Sequence, residues 1–103
     1  MARKEVFEWI RDGSKTIDVR KGKAWKGDVA VCQSGRHHLR LRIVKKETGQ
    51  LRDIVRQSNF RRVVPSAETV EDALRYLRDL YGTDDGFFTA YYLHKTTSFE
   101  IQS

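Results

Sequence analysis

The sequence is short of cysteine, of proline and of long apolar runs, and each shortage narrows what the chain can be. Its one cysteine, Cys32, has no partner for an internal disulfide. With no His/Asn pattern of a thiol enzyme around it, Cys32 reads as a small packing side chain. Pro65 is the single proline, and no repeat, low-complexity tract or linker interrupts the chain, so residues 1–103 read as one continuous domain. No window approaches the roughly 18 uninterrupted apolar residues of a membrane span. The start, Met-Ala-Arg-Lys-Glu, has no apolar run behind its basic residues. A secretory signal is therefore not expected, and a cytoplasmic location without a membrane partner is.

What is present is globular in balance, with 39% hydrophobic and 33% charged residues, enough apolar surface for a single core. The net charge of +6 is unevenly placed: residues 1–62 hold 17 Lys/Arg against 7 Asp/Glu, whereas residues 63–103 hold 3 against 7. A positive field concentrated in one part of the chain suits a polyanion, because each phosphate neutralised releases condensed counterions. A solvated, solubilising surface accounts for the same charge.

Val6, Phe7, Trp9 and Ile10 have helical spacing, and Asp12-Gly13 supplies a helix stop. From Lys15 to Arg20 the pattern alternates, with Ile17 and Val19 on one side and Thr16, Asp18 and Arg20 on the other. A glycine- and lysine-rich loop, 21–27, leads to a second strand opened by Val29 and Val31. Ser34-Gly35 makes a turn, and Leu39, Leu41 and Ile43 alternate with Arg40 and Arg42 in a third strand. Gln50–Arg56 has the pattern of a short helix. Thr69 stands three residues before Asp72 as a cap, and Val70, Ala73, Leu74, Leu77, Leu80 and Tyr81 form a helical stripe that stops at Gly82. The run 86–93 is β-branched and aromatic, as a buried strand should be, with two of its four rings expected on each face. Strands first and last with helices between them predict an α+β fold, a small sheet or barrel closed by its terminal strand.

The helix followed by Gly13-Ser14-Lys15-Thr16-Ile17-Asp18-Val19-Arg20, and then by Lys26-Gly27-Asp28 leading into a strand, resembles the signature of ASCH domains, G-x-K-T/R-x-E-x-R with a K-G-D turn. The Pro65 break, the helix ending Leu80-Tyr81-Gly82 and the final aromatic strand are similar to the second half of small single-domain members. The resemblance implies a PUA-like bent β-barrel with flanking helices and a cleft between them. It also implies RNA binding, or, as in some bacterial members, hydrolysis of N4-acetylcytidine. Asp18 departs from the usual Glu, and in the amidohydrolase branch the same position is a threonine nucleophile.

The leading expectation is thus a nucleic-acid-binding module for RNA, single-stranded by preference, or for a nucleoside, with DNA an open alternative and no cofactor implied. Its candidate contacts are Lys15, Arg20, Lys21, Lys23, Trp25, Lys26, Arg36, Arg40 and Arg42. Asp18 and Arg20, two apart on a strand, are placed to pair, either as a bidentate unit that aims the guanidinium at a ligand or as a surface salt bridge. Trp25 among lysines suits base stacking or caps the core. Arg36, Arg40 and Arg42 with His37 and His38 contact phosphate or protect a sheet edge. The alternative is a small hydrolase, of the N4-acetylcytidine amidohydrolase type or an RNA-processing enzyme. Lys15 would then be donor or base, Glu68 its carboxylate partner, Thr16 a misplaced hydroxyl and Asp18 an activator of water. His37-His38 and His94 lack a third ligand at metal spacing, so no metal is expected.

Overall fold

The computed structural model describes residues 4–95, in the order α1 (Lys4–Asp12), β1 (Ile17–Lys21), β2 (Val29–Ser34), β3 (His37–Gly49), α2 (Leu51–Ile54), α3 (Phe60–Val63), α4 (Val70–Tyr81) and β4 (Phe88–Lys95). The strands form one antiparallel sheet in the order β1-β4-β3-β2. With helices against it, the architecture is α+β, an open half-barrel whose edges are β1 and β2. The expectation that the terminal strand closes the structure is corrected: β4 enters the middle of the sheet, and so joins β1 to the β2–β3 hairpin.

Local signals build the elements. In α1, Phe7 and Ile10 are buried, and the Asp12 carboxylate accepts from the Ser14 N–H at 2.8 Å to end the helix. Ser34 pairs with His37, leaving a two-residue turn whose Gly35 has φ +60°, a left-handed value that suits a tight hairpin. At α4 the Thr69 hydroxyl accepts from the Asp72 N–H at 3.1 Å, and Gly82 at φ +75° closes the other end. Ala73 and Leu77 on this helix are buried against the sheet, whereas Leu80 of the expected stripe is exposed.

Ile17 and Val19 of β1 and Phe88 and Ala90 of β4 form one core with Leu51, Ile54, Val55, Phe60, Val63 and Val64 from the short-helix region, and with α4. Fully burying a side chain of this size is worth about 1.5–3 kcal/mol. Four-residue helices such as α2 and α3 are held by that burial and not by their own hydrogen bonds. β3 runs well past Ile43, with a bulge between Ile43 and Lys45 that turns Val44 out to solvent. Of the four rings in 86–93, two, Phe88 and Tyr92, pack with the helix-side core as expected, and Tyr91 and Phe87 do not. Phe88 is buried on the helix side, Tyr91 on the other, Tyr92 is half-buried, and Phe87 is exposed just ahead of the strand.

Candidate functional site

The free edge of β1 is the most chemically loaded part of the molecule. The N–H of Leu93 donates to the Thr16 carbonyl at 2.8 Å, while the Thr16 N–H donates to the Arg62 carbonyl at 3.0 Å; beyond it Asp18 and Arg20 turn their main-chain groups toward β4, and Ile17 and Val19 turn theirs outward. An open strand edge invites pairing with another chain, and this one is occupied from within. The Lys15 amine donates to the Ile17 carbonyl at 2.8 Å and to the Val63 carbonyl, and the Tyr81 hydroxyl donates to the Val19 carbonyl.

Between this edge, α1 and α4 lies a cavity of about 170 Å³, walled by Trp9, Lys15, Asp18, Arg20, Tyr76 and Tyr81. Drug-sized ligands occupy roughly 300 Å³ or more, whereas a cavity of about 150 Å³ takes up benzene. The space therefore suits one ring system and excludes a polymer from its interior. Its walls mix the aromatic rings with aliphatic side chains such as Val19, Val63 and Leu77, and its edge is polar; the Trp9 and Tyr76 rings are 6.3 Å apart at an interplanar angle of 52°.

Lys15 is only 6% exposed, and burial lowers its pKa to about 8, with Asp18 opposing the shift. In its neutral form both amine hydrogens are committed to the Ile17 and Val63 carbonyls, which leaves the lone pair for a further contact; protonated, it has a third donor to offer. Asp18 and Arg20 are joined by one bond, Nε to Oδ2 at 2.8 Å, and not by the expected bidentate fork, so the terminal N–H groups of Arg20 are left to other acceptors. Burial acts to lower the Arg20 pKa, and the Asp18 charge and hydrogen bond outweigh it and hold the guanidinium firmly charged. The Tyr81 hydroxyl is pushed up to about 12, by burial first and by Asp18 second, so it stays a donor at any physiological pH.

The remaining candidate residues are dispersed. Thr16 is engaged by the Arg62 Nε–H at 2.8 Å and is not on the cavity wall; Glu68 lies exposed on a separate groove with Arg61 and Arg62. The structure does not assemble the Lys15–Thr16–Glu68 set that an amidase would need. Arg36 is in the hairpin turn. Arg40 and Arg42 pair in register with Val31 and Val29, and all four are exposed on the outer face of the hairpin, away from the cavity. Lys21 is exposed at the end of β1, and Lys23 and Lys26 are exposed on the 22–28 loop. Trp25 is 52% exposed, so it does not plug a core, and it stacks on Tyr91 with ring centroids 4.8 Å apart. Sequence reasoning missed Trp9, Tyr76 and Tyr81 as site residues: helical spacing marks Trp9 and Tyr81 only as apolar stripe, and Tyr76 falls outside the stripe altogether. Among the described residues no group of three or more His, Cys, Asp or Glu is placed to hold a metal ion, and no helix is long and apolar enough to cross a membrane.

No protein-family model matches the chain, and no curated protein matches it. Among solved structures, the crystal structure of a hypothetical protein, PH0355, is similar over 92% of this chain and 94% of that one, with a TM-score of 0.72 and 15% sequence identity. At that identity the likeness is one of fold.

Proposed function

We propose that the chain is an ASCH-like domain of the PUA-like kind that binds a single nucleobase, free or extruded from RNA, in the cavity at the free edge of β1. The observation that carries this reading is the grouping, in a ring-sized aromatic space, of a carboxylate acceptor, Asp18, with cationic donors, Arg20 and Lys15. A base presents a flat face for stacking and an edge of alternating donors and acceptors. Asp18 suits an exocyclic amine, while Arg20 and Lys15, as donors, suit a carbonyl oxygen on the same base, which adenine lacks. Cytosine and guanine carry that combination, and uracil has no amine. The Lys/Arg excess of residues 1–62 adds a field that draws phosphate to the same part of the chain. Titration of the four ribonucleosides by calorimetry or NMR tests the proposal. Binding of cytidine or guanosine in preference to uridine is expected, and no binding of any nucleoside at millimolar concentration overturns it.

A second reading rests on Lys15 alone. An amine with a pKa of about 8, facing a base-sized cavity, is able to take a proton from water near neutral pH, as hydrolysis of an acylated base amine requires. Incubation with N4-acetylcytidine and chromatography for cytidine tests it, and turnover that survives Lys15→Met excludes Lys15 as the base.

A further inference from the structure

We infer that Trp25 forms a second subsite, a stacking platform that holds the nucleotide next to the one in the cavity, so that the ligand is a single-stranded nucleic acid and not only a free nucleoside. The inference rests on the nucleobase reading of the cavity.

The 22–28 loop is strapped onto the sheet. The Gly22 N–H donates to the Phe87 carbonyl at 2.8 Å, the Thr89 hydroxyl to the Gly22 carbonyl at 2.7 Å, and the Ile43 N–H to the Asp28 carbonyl. These bonds lay Trp25 over Tyr91: its main-chain N–H donates to the Tyr91 hydroxyl at 3.0 Å, and the Lys46 amine donates to its main-chain carbonyl. One face of the indole is thus backed by a buried tyrosine, while about half of the residue stays in water. A rigidly supported, half-exposed indole is what base stacking needs, because little ordering remains to be done on binding. The loop and its approach carry Lys21, Lys23 and Lys26 against a single carboxylate, Asp28, so the charge around the ring favours phosphate.

The sheet register sets the distance between the two subsites. Asp18 of the cavity wall is the direct cross-strand partner of Tyr91, and both side chains leave the same face. Neighbouring strands are about 4.8 Å apart, so the main chain of Tyr91, whose ring carries Trp25, stands one strand spacing from that of Asp18. Arg20, paired with Asp18 and in register with Thr89, leaves the same face of β1 two residues further along and also lines the cavity.

The two tryptophans of the chain sit one in each subsite, Trp9 in the cavity wall and Trp25 on the platform. In Trp25→Phe only Trp9 reports, and in Trp9→Phe only Trp25. Fluorescence titrations of both variants use the four ribonucleosides and the corresponding homopolymeric ribotrinucleotides. The expected result is that a nucleoside which quenches Trp9 leaves Trp25 unchanged, whereas the trinucleotide of the same base quenches both. Trp25→Ala, at an exposed position, should weaken the trinucleotide roughly 10-fold and the nucleoside less than about 2-fold. Quenching of Trp9 but not Trp25 by the trinucleotide, or equal weakening of both ligands in Trp25→Ala, overturns the platform and leaves the cavity reading standing. Quenching of Trp25 alone overturns the cavity reading instead, and no quenching of either overturns both.

Discussion

The amine of Lys15 donates to the main-chain oxygen of Val63, 48 positions further along the chain, and so ties the start of β1 to the end of α3. It does this while nearly excluded from water, and the exclusion has a pH signature. The Lys15 pKa falls from 10.5 to about 8 on folding. Between those values the unfolded chain binds more protons than the folded one, so this group adds stability as pH rises. Raising pH from 7 to 10 should stabilise the wild type relative to Lys15→Met by about 2–3 kcal/mol, read from urea denaturation of both proteins. A constant difference between them over that range would mean that Lys15 titrates as it does in water.

Asp18→Asn tests how the ion pair matters. The Arg20 side chain is 47% exposed and that of Asp18 21%, so water screens the pair and the large penalty of a broken buried pair does not apply. The loss of stability should be about 1 kcal/mol or less. Base preference should change more than stability, because an amide in place of the carboxylate accepts less strongly and also donates. The preference for cytidine or guanosine over uridine should shrink in the same nucleoside titrations.

The two ends of α4 are predicted to act independently. Thr69→Ala removes the acceptor of the Asp72 N–H and should cost about 1 kcal/mol. Gly82→Ala meets no atom within 4 Å of the added methyl group, so its cost, about 1 kcal/mol, comes only from the left-handed φ of +75°. Thermal denaturation of the single and double variants should give additive losses.

The salt dependence of RNA binding locates the path of the strand. For a single-stranded RNA of about ten nucleotides, Lys23→Ala should lower the log–log salt slope by about 0.7, the value for one phosphate contact. Arg40→Ala, on the outer face of the hairpin, should leave the slope unchanged. Equal loss in both variants would route the strand across the hairpin as well.

Part of this molecule is legible within a few residues of sequence. The caps of α4, the alternation of Ile17 and Val19 and the turn at Ser34-Gly35 depend on contacts between near neighbours, and periodicity and turn chemistry report them directly. The same holds for the placement of Asp18 beside Arg20, since residues two apart on a strand share a face. The missed α3 carried a faint signal of this kind, Phe60, Val63 and Val64 at helical spacing, obscured by the two arginines between them.

Tertiary structure decided the rest, because it depends on which distant segments meet. Residues 44–48 are too polar and irregular to read as strand, and they become part of β3 only by pairing with β4. Sequence marks Lys15 as a candidate contact or base but not as a buried group, and it is buried where the carbonyls of Ile17 and Val63 converge on its amine. Helical spacing places Trp9 and Tyr81 on apolar stripes and leaves Tyr76 off them, and only the packing of α1 and α4 along the β1 edge makes all three walls of one cavity. The same packing separates Thr16, Glu68, Arg40 and Arg42 from it. Charge and residue type can be read along a chain, but a site is a convergence of side chains, and that convergence is set by long-range pairing and burial.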